Sequence, residues 1–315
     1  METSNENSTT DFILLGFSDW PQLESIISGV VFISYLVTLI GNTTIILVSN
    51  LDPHLHTPMY FFLSNLSFVD LCYTTSIVPQ MLINLWSPKK SITYGGCMFQ
   101  CFFSLEMGGT ECLLLTVMAY DRYAAVCQPL HYTVIMHPQL CQKMVVTSWL
   151  GGLGCSLILC SLTLRLPRCG NQDIDNFFCE ITDLFKMACI YSKEIQILFS
   201  ALSVIFLLLP LSFIFTSYGV ITRAVMKIKS TSRWHKILNT CGSHLTVVAL
   251  FYGTLISVYL MPHRNSTSQN EGKFIAIIYT IITPSLNPLI YSLRNKDVKN
   301  AVKRMLWGGK LPDKS

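Results

Sequence analysis

Two carboxylic acids lie in the middle of long apolar stretches, where ionised groups are rare. Asp70 lies twelve residues into the stretch that begins at residue 58, and Glu111 lies eleven residues before Arg122 in the next stretch. At about 1.5 Å per helical residue, both carboxylates would lie at one depth, roughly 16–18 Å from the same surface. Two acids inside lipid are costly unless they share a proton or bind a cation. We therefore predict a site for a monovalent cation (a sodium ion) or a proton at Asp70 and Glu111, with Asn42 nearby; the alternative is that both acids only hydrogen-bond to other helices.

A charged triplet, Asp121-Arg122-Tyr123, closes the third apolar stretch. An Arg at such an end can extend its head toward water while the adjacent Asp neutralises it. Such an ion pair can be broken. The alternative is an ordinary solvated helix end.

The chain has 12 cysteines, and most lie in apolar stretches. Those are expected to be small packing residues. Four others, Cys97, Cys169, Cys179 and Cys189, lie on one side of the apolar stretches, where they permit three disulfide pairings. A bridge from Cys97 to the loop that holds the other three would fold this loop over the bundle as a lid. A zinc site is the rival interpretation, although the ligand pairs are not closely spaced and no His lies among them.

The elements that must position these groups are membrane-spanning helices. Of 315 residues, 51% are hydrophobic and 13% charged, and mean hydropathy is +0.46. A helix needs about 20 apolar residues to cross a bilayer. The net charge of +4 is spread over helix ends, which disfavours a nucleic-acid partner. We predict an all-α membrane protein, a bundle of seven transmembrane helices with spans at about 26–50, 58–86, 97–120, 144–164, 195–222, 237–262 and 274–293.

The distribution of basic residues sets the expected orientation. With the N-terminus outside, the inner segments hold 14 of the 22 Lys and Arg residues, as the positive-inside rule requires. Residues 1–25 are then an extracellular tail without an expected cleavable signal, 26–293 the bundle, and 294–315 a cytoplasmic tail with a short amphipathic helix. Asn7, in the sequon Asn7-Ser8-Thr9, is the preferred glycosylation site. The expected location is the cell membrane, with lipid as a partner.

Several motifs together are similar to those of odorant receptors, of the tetrapod type, in the rhodopsin-like G-protein-coupled class. The motifs are Met118-Ala119-Tyr120-Asp121-Arg122-Tyr123, extending to Pro129-Leu130-His131-Tyr132, then Pro58 to Ser67, Ser217-Tyr218, Lys236 to His244, and Pro284 to Tyr291. The resemblance implies that Asp121, Arg122, Tyr123, Tyr218 and Tyr291 form an inner-face switch, with Asn287-Pro288 as a hinge. It also implies the disulfides Cys97–Cys179 and Cys169–Cys189. Departures are Ile237, Leu238 and Asn239 in the sixth span, and Glu180 where the family usually has Asp.

The expected ligand site lies between the outer halves of the third, fifth, sixth and seventh spans. A small volatile ligand needs a mostly apolar cavity with few polar groups. The third-span candidates, from Ser104 to Cys112, lie along one side of the helix and include no acid or base. A neutral ligand is therefore favoured over an amine. Packing by small residues is the alternative role of each position. The candidates are Ser104, Leu105, Gly108, Gly109, Cys112, Leu202, Ser203, Phe206, Tyr252, Leu255, Tyr259, Ile277 and Thr280.

The expected mechanism couples this cavity to the opposite end of the bundle. Ligand contact near Tyr252 and Tyr259 would favour an outward swing of the inner end of the sixth span. That swing would expose Arg122 to a stimulatory, olfactory-type heterotrimeric G protein, which raises cAMP. The alternatives are a receptor for a non-odorant small molecule or a peptide, and a transporter or channel, against which the odd span count and the lack of an inverted repeat argue. No enzyme motif or cofactor site other than the cation site is found.

Overall fold

The computed structural model describes residues 11–18, 20–166, 172–187, 193–226, 231–260 and 266–306. Within them, most residues are helical. The helices are α1 (Pro21–Leu51), α2 (Pro58–Trp86), α3 (Tyr94–Cys127), α4 (Tyr132–Ile135), α5 (Pro138–Leu164), α6 (Ile181–Lys186), α7 (Lys193–Val225), α8 (Thr231–Leu260), α9 (Ser266–Ile277), α10 (Thr283–Arg294) and α11 (Lys296–Leu306). A 3₁₀ turn, Pro53–Leu55, follows α1, and a π-helical stretch, Ile278–Ile282, joins α9 to α10.

Local sequence explains where several of these helices begin. Pro21, Pro58 and Pro138 occupy the first turn of α1, α2 and α5, where the missing N–H group costs nothing and the fixed φ suits a helix. Thr93 caps α3 by accepting a hydrogen bond from the Gly96 amide at 3.2 Å. The long apolar sequences then continue the helices, because regular hydrogen bonding inside the helix is the way to satisfy the backbone in lipid.

Seven helical units cross the bundle. Six of them are long and apolar enough to span a membrane, including the continuous unit of residues 271–292. The seventh, α8, carries a shorter apolar segment, Cys241–Ser257. Large apolar side chains point outward, as Leu209 and Phe215 do with 65% and 64% exposure, whereas polar Asn42 and Asp70 are buried. This inverted distribution is that of a protein whose surface faces lipid. The predicted seven-helix membrane fold is confirmed.

Helix α3 lies at the centre, packed against α2, α5, α7 and α8. Its closest neighbour is α5, because Gly152 allows the two backbones to meet. A Cβ atom at Gly152 would lie 2.3 Å from Thr110 Oγ1 and 2.5 Å from the Glu106 carbonyl oxygen. Small residues at a helix contact are the usual means of close packing in membranes, where lipid provides no hydrophobic drive for helix association.

A small sheet and a disulfide close one end of the bundle, here called the sheet end (residues 11–18, 87–93 and 172–187). Strand β1 (Phe12–Leu14) pairs antiparallel with β2 (Ser91–Ile92) and parallel with β3 (Asp173–Ile174). The Cys97–Cys179 disulfide joins the top of α3 to the loop that carries β3. Segment 172–187 is therefore held over the helix ends as a lid.

Ionic and aromatic contacts fix the N-terminal segment to this lid. Lys90 Nζ lies 2.6 Å from Glu24 Oε1, and Lys273 forms an ion pair with Asp175 and donates to the Gly16 carbonyl oxygen at 2.7 Å. The Phe17 ring packs edge-on against the Phe177 ring of the lid, with 5.3 Å between the ring centroids. Residues 11–18, predicted as part of an extracellular tail, are thus part of the folded sheet end.

The amphipathic helix α11 packs on the opposite end of the bundle, here called the α11 end. Val298 and Ala301 are buried on one face, while Lys299 and Lys303 are exposed on the other. Arg304 donates to Asp52 Oδ2 from Nη2 at 2.6 Å and from Nε at 2.9 Å. Burial raises the pKa of the Asp52 carboxyl, but the hydrogen bonds from Arg304 and His54 outweigh this effect and hold the pKa below its ordinary value of 3.8. The expected short amphipathic helix after the seventh span is present.

Candidate functional site

A cavity of about 160 Å³ lies between the helices, just beneath the lid. It is smaller than the roughly 300–1,000 Å³ of drug-sized pockets and close to the roughly 150 Å³ that holds benzene in an engineered protein core. Apolar side chains from α3, α5, α7 and α8 form most of its wall, and the lid forms its roof. Such a cavity can enclose a small, largely apolar molecule.

Nine of the thirteen predicted ligand residues line this cavity. They are Ser104, Leu105, Gly108, Gly109, Cys112, Leu202, Ser203, Phe206 and Leu255. Three others do not line it, for Tyr252 is buried beside Cys112, and Ile277 and Thr280 are buried in the helix that closes the bundle. The side chain of the remaining one, Tyr259, lies outside the described residues.

The seventh span contributes a different residue, Tyr279, because its helix is not regular there. The π-helical stretch Ile278–Ile282 changes the angle between successive residues, so a face extrapolated from a regular α-helix does not apply. Thr280 instead lies 3.5 Å from the hydroxyl of Tyr73, a second tyrosine of the lining. Sequence spacing alone offers no signal for this shift.

The predicted stripe of third-span candidates holds no acid, but Glu111 and Glu180, which lie outside that stripe, line the cavity. Glu180 follows Cys179, so the disulfide to α3 places it over the bundle, and that signal could have identified it in the sequence. Its Oε2 accepts a hydrogen bond from the Tyr279 hydroxyl at 2.9 Å. The other lining residues absent from the predicted set are Tyr73, Cys155, Leu159, Phe178, Ile181, Leu207, Phe251 and Tyr279.

Asp70 and Glu111 are both buried, with 1% and 5% exposure. Asp70 accepts hydrogen bonds from Asn287 Nδ2 at 3.0 and 3.3 Å, which is the interhelical contact that the alternative interpretation anticipated. Glu111 Oε1, Asn42 Oδ1 and Asn287 Oδ1 are buried acceptors that have no hydrogen-bond partner among the described residues.

These oxygen atoms suit a hard cation or donated protons, since both satisfy acceptors that lack donors. A transition-metal site has no support, because the described part of the chain holds no group of three or more His, Cys, Asp or Glu side chains that could bind a metal. The monovalent-cation site at Asp70 and Glu111 stays a prediction.

The triplet Asp121-Arg122-Tyr123 lies at the α11 end of α3. Arg122 forms an ion pair with Asp121, whose other oxygen accepts from the Tyr132 hydroxyl at 2.7 Å. Burial and the Asp121 charge both raise the pKa of the Tyr132 phenol, so it stays a donor at neutral pH. Asp121 thus links Arg122 to the short helix α4, and the Arg122 side chain is engaged in this ion pair.

Tyr218 and Tyr291 are both buried near this end. Tyr291 Oη has no partner among the described residues. The Asn287-Pro288 step packs against α1 at Gly41, where an added Cβ would lie 2.7 Å from Pro288 Cγ. Of the predicted switch and hinge residues, Arg122 and Tyr123 are half-buried, and the others are buried.

His244 links three helices and had no role assigned from the sequence. Its Nε2 lies 3.1 Å from the Leu115 carbonyl oxygen of α3, and its Nδ1 lies 2.8 Å from the Tyr218 hydroxyl of α7. A carbonyl only accepts, so Nε2 carries the proton, and in the neutral ring Nδ1 accepts from Tyr218. The motif Lys236 to His244 includes this position, but no role followed from it.

Some predicted sites cannot be placed. The glycosylation site Asn7 and the second disulfide, Cys169–Cys189, lie outside the described residues. The first disulfide, Cys97–Cys179, is present.

Comparison with known proteins adds a family to this geometry. The family model "Olfactory receptor" matches residues 31–308. The chain is 56% identical to human olfactory receptor 2W1 over 97% of this chain and 95% of that protein, and 56% identical to human olfactory receptor 2G3 over 98% and 99%. It is 53% identical to mouse olfactory receptor 2C1 over 98% and 99%. The match confirms the resemblance seen in the motifs, and with it a multi-pass membrane receptor that is not an enzyme: the chain belongs to the olfactory receptor family of odorant-sensing G-protein-coupled receptors.

Proposed function

We propose that this receptor binds small, mostly neutral volatile molecules in the cavity beneath the lid and activates a stimulatory, olfactory-type G protein that raises cAMP. The observation that carries the proposal is the cavity itself, about 160 Å³ in volume and walled by residues such as Leu105, Phe206 and Leu255. An apolar wall selects ligands by shape and by a few polar contacts.

A route from cavity to G protein is available through α8. Phe251 and Leu255 of α8 line the cavity, and His244 of the same helix is bonded to α3 and α7 nearer the α11 end. A ligand that binds better when α8 has moved would weaken these bonds and shift the population toward an open state. Opening at the α11 end would release Arg122 from its contacts with Asp121 for the partner protein.

The same proposal places the sheet end outside the cell membrane. The basic residues of the α11 end, with Lys299 and Lys303 exposed there, favour a cytoplasmic location by the positive-inside rule. The Cys97–Cys179 disulfide at the sheet end favours the oxidising side. The G protein would then meet the end that holds Arg122.

The Asp70–Glu111 pair is proposed as a sodium or proton site that stabilises the closed state. Asp70, Glu111, Asn42 and Asn287 would supply the oxygen ligands, and three of their buried oxygens lack donors among the described residues. A cation there would neutralise two acids that are otherwise costly in the bundle interior.

The test is a panel of neutral volatiles applied to cells that express the receptor with an olfactory-type G protein and a cAMP reporter. We expect dose-dependent signals from some members and loss of the maximal response in Arg122→Ala at equal surface expression. Tyr259→Ala and Tyr252→Ala should shift the dose–response curve. Unchanged curves in all three variants, or silence of the wild type toward every volatile, would contradict the proposal.

A further inference from the structure

Two free cysteines, Cys101 of α3 and Cys160 of α5, lie at the same depth in the bundle. Helix α3 begins near the lid disulfide and α5 ends just before the loop that carries the lid, so the two helices run in opposite directions. Their backbones meet where a Cβ atom at Gly109 would lie 3.2 Å from the Gly152 Cα atom. Eight residues from each glycine toward the sheet end stand Cys101 and Cys160.

The side chains of the two cysteines are in contact with one another. Cys101 is 1% exposed within an apolar cluster at the sheet end, and Cys160 packs against the same cluster. A hydrogen bond joins the two thiols from α3 to α5. A disulfide requires two cysteines on backbones that approach closely, and the glycine contact between these helices provides that approach.

Cys160 is the more accessible member of the pair. It is half-buried and lies four residues before Leu164, where α5 ends, which is about 6 Å along the helix. Cys97, which is part of the lid disulfide, lies one helical turn from Cys101. The pair therefore lies near the membrane surface, at an end of the bundle that already contains a disulfide, where a small oxidant can reach it.

We propose that Cys101 and Cys160 form an oxidisable dithiol that a peroxide closes into a disulfide between α3 and α5. Hydrogen peroxide oxidises the Cys160 thiol to a sulfenic acid, its O–O bond breaks, and one water molecule leaves. The Cys101 sulfur then attacks the Cys160 sulfur, the S–O bond breaks, and a second water molecule leaves with the thiol proton. Two thiols and one peroxide thus give one disulfide and two water molecules, and the two electrons lost by the sulfur atoms reduce the peroxide.

The bridge would connect two walls of the cavity. Leu105 lies one turn after Cys101, Leu159 directly precedes Cys160, and both leucines line the cavity. A crosslink between α3 and α5 would keep these walls together and would restrict the unfolded chain. Oxidation should therefore stabilise the receptor.

The first experiment treats the purified receptor in lipid nanodiscs with hydrogen peroxide and blocks the remaining thiols with N-ethylmaleimide after denaturation. Digestion with chymotrypsin, which cleaves after Phe99 and so separates Cys97 from Cys101, is followed by mass spectrometry. We expect a linked peptide pair that contains Cys101 and Cys160 and that disappears on reduction with dithiothreitol. Free thiols at both positions, or oxygen added to Cys160 without a bridge, would overturn the inference.

Variants show whether the linkage is specific. Cys160→Ser and Cys101→Ser should each abolish the linked peptide pair. Cys72→Ser should retain it, because Cys72 is also a half-buried free cysteine but belongs to α2. A bridge from Cys101 to Cys155 in place of Cys160 would contradict the assignment.

The melting temperature supplies a second measurement. Peroxide should raise it by about 4 °C or more in the wild type and in Cys72→Ser, and leave it unchanged in Cys160→Ser. An equal rise in Cys160→Ser would show that peroxide acts at another position. Neither measurement needs a ligand or a G protein, so the result leaves the proposed odorant function untouched.

Discussion

At the scale of single residues, His244 is the side chain on which the closed arrangement most depends. Its two ring nitrogens connect α8 to the α3 backbone and to Tyr218 of α7, and the ring is only 2% exposed. Both bonds lie at the end that must open for Arg122 to become accessible. A buried bond between helices contributes more to holding them together than the same bond within one helix, because it is lost when the helices separate.

His244→Ala should therefore raise signalling without ligand. Each lost hydrogen bond is worth about 0.5–1.5 kcal/mol, so the population of the open state should increase by roughly 5- to 150-fold where both are removed. The measurement is basal cAMP at equal surface expression. Tyr218→Phe, which removes one bond, should give a smaller rise.

Thr254→Ala is the matched control, because the Thr254 hydroxyl bonds only within α8, to the carbonyls of Leu250 and Phe251. Basal cAMP in this variant should stay at the wild-type level. A basal signal in His244→Ala no higher than that of Thr254→Ala would show that His244 does not hold the closed state.

At the scale of elements, the contact between α3 and α5 depends on small residues, of which Gly152 lies nearest to the α3 backbone. A Cβ at Gly152 would lie 2.5 Å from a carbonyl oxygen of α3, whereas nothing lies within 4 Å of a Cβ at Gly154 on the same helix. Gly152→Ala should force the helices apart and cost about 1–3 kcal/mol, as overpacking does. The melting temperature of the purified receptor should fall, with Gly154→Ala unchanged or slightly higher. Equal melting temperatures for the two variants would contradict the close contact.

The docking of α11 depends on an ion pair that should respond to pH. The Asp52 pKa is held below 3.8, so this carboxylate stabilises the folded state above pH 3.8, and that contribution is lost as pH falls further through the lowered pKa. A partly exposed pair contributes about 0.2–1 kcal/mol. Asp52→Asn should lower the melting temperature by about 1–3 °C at pH 7.

The difference in melting temperature between Asp52→Asn and the wild type should shrink as the pH falls below 3.8, and it should vanish once wild-type Asp52 is protonated. Lys303→Ala, which removes an exposed basic residue of the same helix, should have no such pH-dependent effect. An Asp52→Asn difference that persists unchanged at pH 3 would mean that the ion pair is not its source.

The helices were predictable from the sequence because lipid imposes a simple rule on apolar runs. The ends of the helices were harder to predict. Helix α3 runs from Tyr94 to Cys127, beyond its apolar part, because a helix continues through polar flanks as far as a capping residue such as Thr93. Strand β1 was missed because its partners, in loops 87–93 and 172–187, are distant in sequence.

For the cavity as well, residues placed by local helical structure were predicted, and residues placed by distant contacts or irregular structure were not. Positions on regular helices, such as Ser104 and Leu202, were found from spacing. Glu180 depends on a disulfide, and Tyr279 on a π-helical stretch, so helical periodicity could not identify either. The interior acids were found because an ionisable group in an apolar run is conspicuous regardless of fold.

At the scale of the whole molecule, one buried acid lies at the proposed ligand cavity and the other at the predicted hinge. Glu111 lines the cavity, Asp70 is bonded to Asn287, and the next residue, Pro288, packs on α1. A cation shared by Asp70 and Glu111 would draw α2, α3 and α10 together. Ligand-induced opening would then have to loosen this site, so that cation and ligand oppose one another.

Replacing external sodium with N-methylglucamine should therefore increase agonist potency in the wild-type receptor by about fivefold or more, the lower end of typical coupling between sites. Asp70→Asn and Glu111→Gln should abolish this sodium dependence, because each removes one of the two negative charges. Glu106→Gln, an acid of α3 outside the cavity lining, should retain it. If both variants keep the wild-type sodium dependence, the acids only hydrogen-bond to neighbouring helices, and the coupling between cavity and hinge does not pass through a cation.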